Sequence, residues 1–333
     1  MKNFKLSVLD LAPIKEGASV SDALKESLEL AQFTEELGFE RYWLAEHHNF
    51  EGIASSATSV LIGYIASGTK KMRIGSGGVM LPNHSSLVIA EQFGTLEALY
   101  PGRIDLGLGR APGTDGLTAK ALGRNPMTIN EQFPRQIGEL QTYFSSENSY
   151  AAVRAIPGEG SDIPLFILGS STESAYLAAA LGLPYAFAAH FAPDMMEMAF
   201  KIYHERFESS EQCKTPYTIA CVNGMAADTH QEAQKIASTL YMTFLGLIRN
   251  ERKKYSKPVE SMDGYWSPQE RAHLLDKLRY SFIGDPKEVE DQMREFQTRF
   301  NVDEIMVNSA IYDSKARLHS YEILSNAQKA LEN

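Results

Sequence analysis

The side chains that could do chemistry cluster in a few short stretches. Glu46-His47-His48 and Asn83-His84 gather three imidazoles, a carboxylate and an amide into two brief segments, while Asp10, Arg110, His190 and Asn223 each follow an apolar run. An imidazole titrates near neutrality, so a histidine at such a point can take or give a proton at pH 7. The same residues could ligate a metal, with Asp10, His84 and His190 joining the pair if the loop bends. Adjacent His47 and His48 speak against that, because neighbours on a strand face opposite sides and the HxH spacing that would align two rings is absent.

Two stretches suit an anion. Leu168-Gly169-Ser170-Ser171-Thr172-Glu173 passes from strand to helix through small residues. The first N–H groups of that helix are open to a phosphate and the hydroxyls add donors, although the same residues would serve as a plain N-cap. Arg110, after Gly107 and Gly109, adds a charge-assisted donor or a rim salt bridge, and Arg135, early in the next helix, could reach the same anion. Gly75-Ser76-Gly77-Gly78 interrupts an apolar strand. Glycines there mark a bulge, a tight barrel corner or the close approach of a flat ligand. No GxSxG elbow and no paired-carboxylate signature is present.

These residues must be positioned by alternating elements. Strands are expected at Phe4–Leu9, Arg41–Leu44, Met72–Met80, Ile104–Leu108, Pro164–Leu168, Tyr185–Ala188, Tyr217–Met225 and Ile305–Asn308, each followed by a helical pattern. Eight strand-then-helix units favour a closed parallel (β/α)8 TIM barrel of the α/β class over an open doubly wound sheet, and no GxGxxG follows the first strand. In such a barrel the strand ends named above share one mouth. About 55 residues separate the seventh helix from the eighth strand, so residues 249–300 read as an insertion within one domain spanning 1–333, either a lid or a decoration.

The chain has 333 residues, of which 44% are hydrophobic and 22% charged, with a net charge of −10. That is a globular composition whose acidity disfavours nucleic acid as a partner. Two cysteines without a CxxC exclude a disulfide framework and a thiolate zinc site. The most apolar stretch, Ala175–Ala192, is broken by Gly182-Leu183-Pro184, so no membrane span is expected, and the start of the chain lacks a signal-peptide core. A cytoplasmic protein is the expectation.

Trp43-Leu44-Ala45-Glu46-His47-His48, Gly78-Val79-Met80-Leu81-Pro82-Asn83-His84 and Tyr100-Pro101-Gly102-Arg103-Ile104-Asp105-Leu106-Gly107-Leu108-Gly109-Arg110 resemble successive signatures of the bacterial luciferase-like, flavin-dependent monooxygenases, in its non-luminescent single-chain branch. The Gly-Ser-Ser segment and the Gly284-Asp285-Pro286 turn extend the likeness across nearly the whole chain. The resemblance implies the barrel, reduced FMN from a separate flavin reductase, and oxygenation of a small organic substrate by molecular oxygen through a C4a-peroxyflavin. It implies that His47 assists proton transfer beside the flavin, with His48 as neighbour or orienter. Gly77 and Gly78 match the strained, often cis, peptide beneath the ring. Arg110, Gly169, Ser170 and Ser171 match the phosphate site, and Arg135 matches it more loosely. The family also implies a homodimer through its second and third helices. Gly109 stands where luciferase carries a reactive cysteine, which sets light emission apart from the flavin chemistry. Deazaflavin-dependent hydride transfer, a flavin-binding protein without turnover, and a metal-dependent hydrolase are the alternatives.

Overall fold

The computed structural model describes residues 2–111, 113–124 and 129–332, the side chains of 129 and 130 excepted. Its strands are β1 (Lys5–Asp10), β2 (Arg41–Leu44), β3 (Arg73–Met80), β4 (Ile104–Gly109), β5 (Leu165–Gly169), β6 (Tyr185–Phe187), β7 (Thr218–Ala226), β8 (Phe282–Gly284) and β9 (Glu304–Asn308). β1 to β7 follow one another round a ring, β9 lies between β7 and β1, and every pairing is parallel. The result is a closed eight-stranded barrel.

β8 is an addition to the expected set. The nine-residue β7 forks: Ile219–Asn223 pair with β9 inside the barrel, while Gly224–Ala226 pair with β8 outside it. Part of the long connection is therefore built onto the sheet. Its first part, residues 249–256, lies against the loops after β1 and β2. Tyr255 N donates to the Ile14 carbonyl at 2.9 Å, and a Cβ on Gly52 would come within 2.5 Å of the Lys253 carbonyl.

Helices wrap the sheet as their caps dictate. α1 (Val20–Leu37) opens with a Ser19/Asp22 capping box and stops at Gly38, whose φ of +88° costs a residue without Cβ little. α2 (Thr58–Gly68), α3 (Ser86–Leu99), a short α4 (Gly116–Ala121) missed by periodicity, and α5 (Ile129–Phe144) complete the first half. α6 (Thr172–Leu181), α7 (Met196–Arg206), α8 (His230–Ile248), α9 (Pro268–Lys277), α10 (Pro286–Phe300) and α11 (Ser314–Glu332) complete the second.

Strand alternation sorts the side chains into two cores. Leu9, Trp43, Ala45, Phe166, Ala186, Ile219, Cys221 and Met306 fill the barrel. Below them, at the amino ends of the strands, Arg41 binds Glu304 at 2.8 and 3.0 Å and Asp105 at 2.7 Å. This buried network plugs the barrel floor, so ligand access is from the carboxyl ends. Val8 and Asp10 alternate with Leu9 and so face the helices. Asp10 accepts from Arg317 of α11 at 2.8 Å and from the Tyr42 hydroxyl at 2.6 Å. It is a buried structural carboxylate behind the sheet, which corrects its placement among the mouth residues.

Candidate active site

Glu46 is the hub of the mouth. It leaves the end of β2 only 1% exposed, and its carboxylate accepts from Met80 N at 3.0 Å, His48 Nε2 at 2.8 Å, His84 Nε2 at 2.9 Å and Asn83 Nδ2 at 3.2 Å. Burial alone would raise its pKa, but the hydrogen bonds from His84, His48 and the Met80 N–H together hold the carboxyl below its usual range. The segments Glu46-His47-His48 and Asn83-His84 are thus clamped to one another by one anion.

His47 points elsewhere, as the alternation of neighbours requires. Its Nδ1 lies 3.3 Å from the Gly113 carbonyl, and its backbone N–H donates to the Ser55 carbonyl at 3.1 Å. Burial pushes its pKa below 6.5, and nearby His48 and Arg252 add to the push against the Gly113 carbonyl and Glu46. The ring is therefore neutral at pH 7. With the Nδ1 proton facing Gly113, Nε2 is left as a bare acceptor able to take a proton. Arg252, from the strap at 249–256, stands over the Phe50 ring at 5.5 Å and donates to Asp115 at 3.1 Å, beside this histidine.

The glycines of β3 make a bulge. Ser76 pairs with Leu106 and Val79 with Leu108, so one residue more is used on β3 than on β4, and the Gly77–Gly78 peptide is cis. A Cβ at Gly78 would sit 2.7 Å from the Gly107 carbonyl, and one at Gly77 would sit 2.7 Å from Leu9 Cδ1. Glycine keeps this backbone low and flat beside the mouth, the form a planar ligand needs.

The stretches expected to suit an anion follow β4 and β5. A Cβ on Gly169 would overlap Ser174 Oγ at 1.8 Å, so glycine is what lets the chain turn into α6. Ser171, the N-cap of α6, makes no side-chain cap bond. The Glu173 carboxylate takes up the Ser171 hydroxyl instead and lies within electrostatic reach of Arg110, and both hold its pKa low.

Arg124, which sequence reasoning missed, stands beside Arg110. It is 7% exposed, donates to Asn83 Oδ1 at 3.1 Å and to the Arg110 carbonyl, and its Nε has no partner among the described residues. Burial and the neighbouring Arg110 guanidinium pull the Arg124 pKa below the usual arginine value, and the Glu46 carboxylate opposes them. Arg135 is not brought to this group by any described contact. Its side chain is about two-thirds exposed and pairs with Glu139 at 2.6 Å. Among the described residues, no three His, Cys, Asp or Glu side chains converge as metal ligands, and no helix is long and apolar enough to cross a membrane.

The family model for luciferase-like monooxygenase matches residues 4–300. A luciferase-like monooxygenase of Escherichia coli is 48% identical over 99% of this chain and 98% of its own. The N-acetyl-S-alkylcysteine monooxygenase of Bacillus subtilis is 34% identical over 97% and 98%. The oxygenating constituent of 3,6-diketocamphane monooxygenase from Pseudomonas putida, solved with FMN, shares the fold at a TM-score of 0.74 and 16% identity, covering 97% of each chain. The chain belongs to the luciferase-like monooxygenases, oxidoreductases that incorporate molecular oxygen into their substrates.

Proposed function

We propose that this protein is an FMN-dependent monooxygenase that takes reduced FMN from a separate flavin reductase and oxygenates a small organic substrate. What supports the reading is the placement, after the neighbouring strands β2 to β5, of a neutral imidazole at His47, a glycine bulge at Gly77–Gly78, the guanidiniums Arg110 and Arg124, and the Ser170-Ser171 turn into α6. Ring, phosphate and proton acceptor each have a counterpart in these residues. The unpartnered, buried Arg124 Nε supports the phosphate end; the role is not extended to Arg135, which Glu139 already engages.

When bound, the reduced flavin supplies the electrons that activate oxygen. The chain supplies the rest. Gly77 and Gly78 would admit the ring, Gly169 sets the turn into α6, and the Ser170-Ser171 segment with the two guanidiniums would hold the phosphate tail. His47 holds or moves a proton at Nε2, while Glu46 orients His48 and the loop that carries both rings. The strap at 249–256, tied down by Arg252 and Tyr255, is placed to exclude water from the mouth. A dimer would bury the exposed Val60 and Tyr64 of α2 with Val88 and Leu99 of α3.

The test is titration of the protein with reduced FMN, riboflavin and a deazaflavin, followed by admission of labelled oxygen over a panel of sulfides, ketones and alkanes. The reading expects FMN to bind most tightly and one labelled oxygen atom to enter a product. Preference for the deazaflavin would assign hydride transfer, and tight FMN binding with only peroxide released across the panel would assign a storage protein.

A further inference from the structure

The loop that carries His47 is zipped to the loop after β4. His48 N donates to the Gly113 carbonyl at 3.1 Å, the same oxygen that faces His47 Nδ1, and Thr114 Oγ1 donates back to the His48 carbonyl at 2.8 Å. A Cβ on Gly113 would come within 2.6 Å of the Glu46 carbonyl, so the two backbones are in direct contact. Further along each loop stand Phe50 and Asp115. The Phe50 ring lies 6.1 Å from the His47 ring, tilted by 60°. Asp115 caps α4, accepting from Thr118 N at 2.9 Å.

Arg252, from the strap at 249–256, engages both of these residues. Its guanidinium stands over the Phe50 ring at 5.5 Å, and Nη1 donates to Asp115 Oδ2 at 3.1 Å. The strap itself is anchored separately: Tyr255 N donates to the Ile14 carbonyl at 2.9 Å and Glu16 N to the Tyr255 carbonyl at 2.8 Å. Arg252 therefore closes a ring of contacts that runs from His47 through Gly113 and Asp115 to the strap and returns through Phe50. On the strap side of Phe50 the packing is open. A cavity of about 200 Å³ is lined in part by Phe50, Arg252, Met242 and Leu245, larger than the ~150 Å³ void that admits benzene. Dense packing on that side does not press the Phe50 ring against His47; the guanidinium stacked on it does. The titratable and charged groups that reach His47 are Glu46 and His48 on its own segment, His190 from the end of β6, and Arg252. Of these four, only Arg252 belongs to the strap.

We propose that Arg252 is a positioning residue for His47: by clamping Phe50 and Asp115 it holds the imidazole with Nδ1 on the Gly113 carbonyl, so that the proton acceptor is poised only while the strap is seated. The proposal rests on the reading that His47 handles the proton at this mouth. It gives the strap a second task besides excluding water, since the barrel alone does not complete the site.

The test is 15N-histidine NMR of the flavin-free protein, comparing the parent with Arg252→Ala, Arg252→Lys, Phe50→Leu and Lys253→Ala. In the parent the two His47 nitrogens should give one protonated and one bare resonance, as a ring fixed in one tautomer does. In Arg252→Ala the two should draw together as the tautomers mix. The His47 pKa should rise, because loss of a nearby cation and easier entry of water both favour the charged ring. Arg252→Lys keeps the cation without the planar fork, so it should restore the pKa more fully than the tautomer. Phe50→Leu should also draw the resonances together, and joining it to Arg252→Ala should add nothing further, as for two members of one chain of contacts. Lys253→Ala should leave His47 unmoved, because that ammonium pairs with Glu251 at 2.6 Å, outside the ring of contacts. FMN should bind to Arg252→Ala within about 2-fold of the parent, since the residue is distant from the phosphate end. Unchanged His47 signals in Arg252→Ala, an equal effect of Lys253→Ala, or additive effects of Phe50→Leu and Arg252→Ala would each overturn the proposal. A parent protein that binds no FMN, with the Arg252→Ala signature intact, would count against the monooxygenase reading and leave the positioning role standing.

Discussion

Replacing Glu46 with Gln tests whether one carboxylate organises the mouth. The wild-type oxygens satisfy four donors: one backbone N–H, one amide and two imidazole N–H groups. A glutamine side chain of the same shape keeps a single acceptor oxygen and turns an NH2 towards groups that are themselves donors. Two donors lose their acceptor, and a buried donor left unmet costs about 1–3 kcal/mol. His84, at 30% side-chain exposure, can turn to solvent and recover one of them. The expected loss is therefore about 1–3 kcal/mol at pH 7, read as a lower urea midpoint at unchanged slope.

The pH dependence supplies a second check. Because the folded pKa of Glu46 is depressed, the stability held by its ionised form is fully present above the ordinary glutamate pKa of about 4.3 and is lost as pH falls through the lower folded value. Glutamine has no such titration. The gap between parent and Glu46→Gln should be widest near neutrality and close in acid below pH ~4. Equal stabilities at pH 7, or a gap independent of pH, would refute the reasoning.

Gly78→Ala places a Cβ 2.7 Å from the Gly107 carbonyl and 3.0 Å from Leu168 Cδ2. It should destabilise the barrel by about 1–3 kcal/mol and weaken FMN binding, whereas Gly116→Ala, whose Cβ meets nothing within 4 Å, should leave FMN binding unaltered. Arg110→Ala should weaken FMN about 10–100-fold and riboflavin hardly at all, as expected for one charge-assisted contact to phosphate measured by fluorescence titration. Oxygen uptake with reduced FMN should decline in acid only below His47's ordinary pKa of 6.5, since burial depresses that group, and this acid limb should vanish in His47→Phe. Val60→Lys, at a position 69% exposed on α2, should halve the mass seen by light scattering if that face joins two copies.

Much of this architecture was legible because parallel strands buried on both faces read as unbroken apolar runs, and the helices between them carry their own stops, such as Gly38 and Gly182. Arg41–Leu44 has the bounds the residues predict. What escaped was short or long-range. β8 is three residues and α4 six, too few to show a period. Nothing local to Glu46 says that β3 will bring Met80, Asn83 and His84 onto it. Arg124 reaches Arg110 only because the loop after β4 folds back, whereas Arg135 was better read from its i,i+4 partner Glu139 as a surface pair. Asp10 could have been placed correctly from strand period alone, since Leu9 beside it faces the barrel.

A crystal structure of the protein soaked with FMN tests the central claim most directly. The account predicts the isoalloxazine ring against Gly77–Gly78, the phosphate in contact with Arg110 and the N–H groups after Ser170, and His47 Nε2 facing the ring. FMN seated elsewhere, or a mouth that stays empty at saturating FMN, would contradict it.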